Sequence, residues 1–364
     1  VKYIDSFRDT NAIRGLVSKI HSVAGKIGKE IVLMEVCGTH TMAIARAGLR
    51  QLLPENVKLI SGPGCPVCVS PNSFIDKAIA ISELKNTIVT TFGDMYRVPS
   101  GNGSLEKQHS KGARIEIVYS PFDAIEIARR KPENNVVFIG VGFETTAPVI
   151  ASVIKYAKQE KIKNFLVLAG NKIIPPAMEI LVSDVHHHLD GFICPGHVSV
   201  IIGSKPYEIF PEKYNIPCVI SGFEACDILQ SILYLLEMIA GMEKISVKIQ
   251  YTRCVDPEGN IKAKKIMNEV FSVCDSEWRG IGLIKSSGLA IKDEYKQYDA
   301  EYMLDVSVNI SHDRSGCICG DVLKGIKSPV DCIFFKKVCT PENPVGPCMV
   351  SSEGTCAAYY AYEK

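Results

Sequence analysis

No uninterrupted apolar run in the chain approaches the roughly 20 residues needed to cross a bilayer. The longest apolar stretch, Ile228 to Ala240, is broken by Gln230, Ser231 and Glu237 and reads as a buried helix. Excess charge is missing as well: 41 Lys and Arg against 40 Asp and Glu leave a net +1. Such a balance gives no electrostatic footing for nucleic acid or an acidic membrane surface. The one basic cluster of note, Arg129-Arg130-Lys131, reads as a solvated helix end. There is no P-loop, and Gly140-Val-Gly142 lacks the third glycine in register for a dinucleotide-binding turn. Val1-Lys2-Tyr3-Ile4-Asp5 lacks the charged-then-apolar pattern of a signal peptide. The expected setting is therefore the cytoplasm, where thiols stay reduced.

Against these absences stand 14 cysteines. In a reducing compartment they argue for metal binding or thiol redox chemistry over a disulfide framework. A chain of 364 residues exceeds one ordinary core, so two or three domains are expected. With 46% hydrophobic and 22% charged residues, the composition is that of a soluble globular protein.

Residues 1–29 are expected to form a helical arm, with Ile13, Leu16, Val17 and Ile20 at helix spacing. From residue 30 a strand–loop–helix rhythm sets in. Strands are expected at 31–36, 57–61, 87–92 and 114–119, with helices at 41–53, 72–84 and 122–130. The polar stretch 100–112 reads as a mobile flap. The rhythm restarts with strands at 136–140, 165–169, 191–193 and 217–220 and a long helix ending near Gly241. Two successive βα units imply two parallel sheets. The fold class is therefore α/β, with Rossmann-like lobes at 30–134 and 135–241 facing a central cleft. Every polar cluster falls at the carboxyl end of a strand, where open α/β sheets bind ligands. The remainder, 242–364, breaks the rhythm: strand-like 245–252, a helix near 260–273, strand-like 283–285, then an irregular Pro- and Gly-rich end.

The chemistry concentrates in two places. Cys37-Gly-Thr-His40 and Gly62-Pro-Gly-Cys65-Pro-Val-Cys68 each follow a short apolar strand, which sets three thiols and an imidazole on neighbouring loops. Cys65 and Cys68 form a C-x-x-C suited either to dithiol redox chemistry or to metal binding. Further along, Cys317, Cys319, Cys332, Cys339, Cys348 and Cys356 put six thiols within forty residues. Their wide spacing and lack of close C-x₂-C pairs suit an iron–sulfur cluster better than a zinc site. His197, in Cys194-Pro-Gly-His197, is a ligand or general acid if not structural. Asp94 and Glu144 are either proton shuttles or helix caps. Thr145-Thr146, at a helix start, would suit an anion. Cys218, Cys226, Cys254 and Cys274 read as buried small hydrophobes, and His186-His187-His188 as solvated surface.

Five motifs in order resemble the HypD family of hydrogenase maturation proteins: Cys37–His40, Gly62–Cys68, Gly142-Phe-Glu-Thr-Thr-Ala-Pro148, Cys194–His197 and Thr340-Pro-Glu-Asn-Pro-Val-Gly-Pro-Cys348. The resemblance continues through Val350-Ser-Ser-Glu-Gly-Thr-Cys356-Ala-Ala-Tyr-Tyr360. It implies a role in assembling the Fe(CN)₂CO unit of [NiFe]-hydrogenases, with HypC as partner and HypE delivering cyanide. It also implies Fe(II) held by Cys37 and Cys68, with Cys65 as partner thiol and His40 nearby. A [4Fe-4S] cluster on Cys317, Cys332, Cys339 and Cys356 is implied in the same way. That leaves Cys319 and Cys348 as a redox pair relaying electrons toward Cys65 and Cys68. Two other readings of the same residues stay open: a cluster-fed disulfide reductase, and a non-enzymatic module closing on a small anion.

Overall fold

A computed structural model of the protein describes residues 5–183 and 187–363. Residues 1–4 of the expected arm and His186 lie outside the described residues. Eleven strands are formed among them. Nine belong to parallel sheets: β1 (Ile31–Glu35), β2 (Val57–Ser61), β3 (Thr87–Thr91), β4 (Ile115–Ile117), β5 (Asn135–Gly142), β6 (Phe165–Asn171), β7 (Gly191–Pro195), β8 (Cys218–Ser221) and β9 (Val247–Ile249). The other two, β10 (Phe271–Trp278) and β11 (Gly282–Ile291), pair antiparallel.

The chain does not build one sheet and then the other. One sheet has the order β2-β1-β7-β8-β9, the second β4-β3-β5-β6. The chain starts the first sheet, leaves to build the whole of the second, and returns to finish the first. Two lobes divided at residue 134 are therefore not what the strands form: β1 pairs directly with β7, Met34 opposite Phe192. A helical crossover permits this as readily as pairing in sequence order, because parallel neighbours need a long connection either way.

Side-chain alternation along the strands explains how the sheets pack. Ile31, Leu33, Ile193 and Val219 face the helices Thr10–Ala24 and Ala225–Ile239 in one core. Ile88, Val136, Phe138, Phe165 and Val167 face a second core with helix Ala147–Gln159. The opposite faces, Met34, Phe192 and Ile220 from one sheet and Val89, Val137 and Leu168 from the other, join a single third core. The lobes thus share an apolar interior, and the C-terminal residues Cys348, Met349 and Val350 complete it.

The 100–112 stretch is a correction. It is no loose flap but contains the helix Leu105–Ser110, capped by Ser104 Oγ on the Lys107 N–H, with Leu105 and Gln108 buried. Gly101 N–H and Asn102 Nδ2 bind Ser311 Oγ and Asn309 O, tying it to the C-terminal region. Beyond Met303 the chain runs through short helices (Cys319–Leu323, Thr355–Tyr362) and turns. Among the cysteines expected to be buried, Cys254 is exposed and Cys274 half-buried.

Candidate functional site

In the first sheet the chain leaves β1 toward β2 on one side, while β7 leads to β8 and β9 on the other. The crevice between the ends of β1 and β7 is thus a topological switch point, the place where such sheets bind ligands. Cys37 follows β1 and His197 follows β7 there. They line a cleft of about 420 Å³ together with Thr39, Glu353 and, from the end of β5 in the second sheet, Phe143, Thr145 and Thr146.

Cys37 is the N-cap of helix Gly38–Arg46. Its N–H is held by Glu35 Oε2 at 3.1 Å, and the Thr41 hydroxyl donates to Glu35 Oε1 at 2.5 Å. Burial pushes the Cys37 thiol up to about 12, the carboxylates of Glu353 and Glu35 add to this, and the N–H groups of His40 and Thr39 oppose it. Burial likewise raises the Glu35 carboxyl to about 7, against the hydrogen bonds of Ser61, Thr41 and the Cys37 N–H.

The second cysteine loop is pressed onto the first. Gly38 N–H donates to Gly64 O at 3.1 Å, and a Cβ on Gly64 would lie 2.2 Å from the Cys37 nitrogen. Only glycine permits that approach. The loop then turns into the short helix Pro66–Val69, where the Cys68 N–H donates to Cys65 Sγ at 3.3 Å. Cys65 and Cys68 do not line the cleft. Cys68 is fully buried and faces the other way, with its thiol 3.9 Å from Pro347 O and in hydrogen-bond contact with Cys348. Burial holds this thiol well above its usual range.

The family comparisons now bear on this arrangement. The HypD family model, described as "Hydrogenase formation hypA family", matches residues 11–363. The hydrogenase maturation factor HypD2 of Bradyrhizobium diazoefficiens is 45% identical, over 100% of this chain and 97% of its own length. The hydrogenase maturation factors HypD of Cupriavidus necator and Azotobacter vinelandii are 44% and 43% identical, each over 100% of this chain and 97% of their own. This chain belongs to the HypD family of hydrogenase maturation factors. No helix among the described residues is long and apolar enough to cross a membrane.

In this HypD-family chain, five of the six C-terminal thiols, Cys317, Cys319, Cys332, Cys339 and Cys356, line one cavity within an apolar shell that includes Phe334 and Met349. Cys317 and Cys319 have their sulfurs 3.3 Å apart. The Val345 N–H donates to Cys339 Sγ at 3.3 Å. No three His, Cys, Asp or Glu side chains among the described residues are gathered to hold one metal ion. A cluster makes a different demand, since each thiolate binds its own iron, and N–H···S bonds tune such sulfurs. Five thiols line this cavity, one more than the four that such a cluster needs, and an N–H is directed at one of them, so the donor set fits that demand. The sixth thiol, Cys348, is fully buried, with Cys319, Cys356 and Cys68 as hydrogen-bonding neighbours.

The other expected site residues divide. His197 reaches the cleft, its imidazole pKa lowered by partial burial despite the nearby Glu353. His40 does not: it is fully buried, its Nε2–H donates to Gly222 O at 2.9 Å, and burial lowers its pKa to about 4. Asp94 is exposed at the start of helix Gly93–Arg97 and lines no part of the cleft. Glu144 is buried and takes the capping role, accepting the Ile174 N–H at the start of helix Ile174–Val182 at 3.1 Å. Thr146 Oγ1 is engaged by Asn171 Nδ2 at 3.2 Å. Glu353 had no signal of its own in the sequence, being one carboxylate in a Ser- and Gly-rich turn. It lines the cleft and accepts the Thr39 hydroxyl at 2.6 Å.

Proposed function

We propose that the cleft is where the Fe(CN)₂CO unit of [NiFe]-hydrogenases is assembled, with HypC and HypE as partners. The iron, as cargo, is held in the cleft by the Cys37 thiolate, a soft donor suited to it. Cys68, the second iron ligand expected from the resemblance, faces away from the cleft toward Cys348 and is assigned to the relay instead. Cys65 is the partner thiol of Cys68, and His197 is the proton donor at the cleft wall. Cys317, Cys332, Cys339 and Cys356 hold a [4Fe-4S] cluster, which when bound supplies single electrons at low potential. The protein's own contribution to reduction is thiol–disulfide exchange along Cys319, Cys348, Cys68 and Cys65. Each exchange forms one S–S bond as another breaks, and the displaced thiolate takes up a proton.

The observation that carries this reading is a series of sulfur contacts from the tail cavity to Cys65, whose loop packs by its backbone on Cys37 at the cleft. Cys317 touches Cys319, Cys319 and Cys68 both neighbour Cys348, and Cys68 neighbours Cys65, whose loop rests on Cys37. A structural set of cysteines has no reason to connect the tail cavity with the Cys65–Cys68 loop that packs against Cys37. The reductase alternative uses the same series but gives Cys37 and the cleft around it no task. The test is trapping: oxidation of the Cys65→Ser protein is expected to yield a Cys68–Cys348 disulfide, identified by peptide mass mapping. Absence of that bridge, with Cys319–Cys348 intact and Cys68 still free, would refute the relay.

A further inference from the structure

Three motifs far apart in the chain meet in one aromatic stack behind the cleft. The His40 ring lies on Phe223 with centroids 4.7 Å apart and planes at 28°; His197 lies on Phe223 at 4.0 Å and 27°. Phe223 thus stacks with both histidines and joins the buried His40 to the cleft-lining His197. Of the three, only His197 lines the cleft.

Phe223 is itself fixed from every side. The carbonyl of Gly222 accepts from His40, the Gly222 N–H donates to Gln250 Oε1 at 3.0 Å, and the Glu224 N–H donates to Asp227 Oδ2 at 3.2 Å. Tyr251 meets the Phe223 edge at 5.8 Å and 82°. Gln250 and Arg253 are both anchored at 2.8 Å on Asp227 Oδ1, a fully buried carboxylate. Close packing leaves no slack: a Cβ on Gly222 would lie 2.3 Å from Asp227 Oδ2, and one on Gly196 would lie 2.5 Å from Ser221 O.

His40 has little to offer the reaction directly. Its Nε2 proton is committed to Gly222, and its Nδ1 is buried with no partner. Its burial keeps it neutral over the physiological range. What it does touch is the loop and ring on which His197 rests.

We propose that Phe223, backed by His40, is a positioning residue that holds the His197 imidazole in one orientation at the switch point, facing the bound iron and its incoming ligands. A free histidine rotates about two side-chain bonds; one clamped on a rigid aromatic face presents the same nitrogen to the cleft throughout. The proposal rests on the reading of the cleft as the assembly site only for what His197 does, not for how it is held.

The test uses the full chain in two measurements. Above the face of Phe223, the His197 ring protons are shifted upfield by the ring current. With eight histidines in the chain, a ¹H–¹³C spectrum of labelled protein resolves the His197 signal once His197→Ala identifies it. Phe223→Leu and His40→Leu are each expected to move that signal toward its unstacked position. Phe223→Tyr is expected to preserve it, as is His40→Phe, which refills the buried slot with a ring and serves if His40→Leu does not fold. Hydrogenase maturation in cells is expected to fall at least tenfold in the Leu variants and to be retained in Phe223→Tyr. An unmoved His197 signal in Phe223→Leu refutes the stack, and a moved signal with normal maturation refutes the positioning role. Normal maturation by His197→Ala also overturns the role, with the iron-free spectrum then locating the failure in the cleft reading and not in the stack.

Discussion

Replacing Glu144 with glutamine isolates the energetic consequence of a carboxyl group sealed in the interior between the two sheets. Glu144 is 1% exposed; one oxygen accepts the Ile174 N–H and the other has no partner. Burial therefore raises its pKa from 4.5 to about 7, and the backbone hydrogen bonds only partly oppose the rise. The folded protein binds this proton more tightly than the unfolded chain does. The stabilisation is fully present below pH 4.5 and is lost as the pH climbs through 7. At about 1.4 kcal/mol per pH unit, the whole loss is about 3 kcal/mol. Glutamine resembles the neutral carboxyl but cannot ionise. Glu144→Gln is thus expected to match the parent within about 1 kcal/mol at pH 5 and to exceed it by about 3 kcal/mol at pH 8. Urea denaturation across that range measures the difference, and taking the difference removes Glu35 and His40, which titrate equally in both proteins. A gap between variant and parent that stays constant with pH would show that Glu144 is not sealed as described.

Further expectations concern the site and its supports. Gly64→Ala drives a methyl group into the Cys37 backbone and is expected to lower stability by about 2–3 kcal/mol and abolish maturation, read by thermal melting and a cellular hydrogenase assay. Glu353→Gln removes one of the charges that keep the Cys37 thiol protonated. Alkylation of Cys37 at fixed pH should accelerate on the order of threefold, and an unchanged rate would place Glu353 outside its field. Arg253→Leu leaves the fully buried Asp227 without its cation and is expected to cost about 3–5 kcal/mol; a melting temperature within a degree of the parent would contradict that pairing.

Strand positions were legible because each is a short apolar run closed by Gly, Pro or a polar cluster, and those punctuation marks survive in the sequence. Strand order was not. Val32 and Leu33 carry no sign that β7 will lie beside them in place of a strand from the second sheet, since parallel pairing is settled by the crossover helices and the shared core. The helix Leu105–Ser110 was hidden by composition, because only Leu105 and Gln108 turn inward from an otherwise polar segment. The β10–β11 hairpin was missed in part because Phe271 continues the helical pattern of Ile261–Val270 without a break. At the site, Cys37 and His197 could be placed from their positions after strands. The inward direction of Cys68 could not, since it depends on the Pro66 turn and on the returning Pro347. Phe223 carried no signal in the sequence that set it apart, because its contacts with His40 and His197 come from loops that only the fold brings together.

The most direct measurement is infrared spectroscopy of the protein purified anaerobically with HypC, in the cyanide and carbonyl stretching region where proteins do not absorb. The account predicts bands from iron-bound cyanide and carbon monoxide in the parent protein and none in Cys37→Ala, with the C-terminal cluster's visible absorption unchanged between the two. Equal bands in both proteins would contradict it.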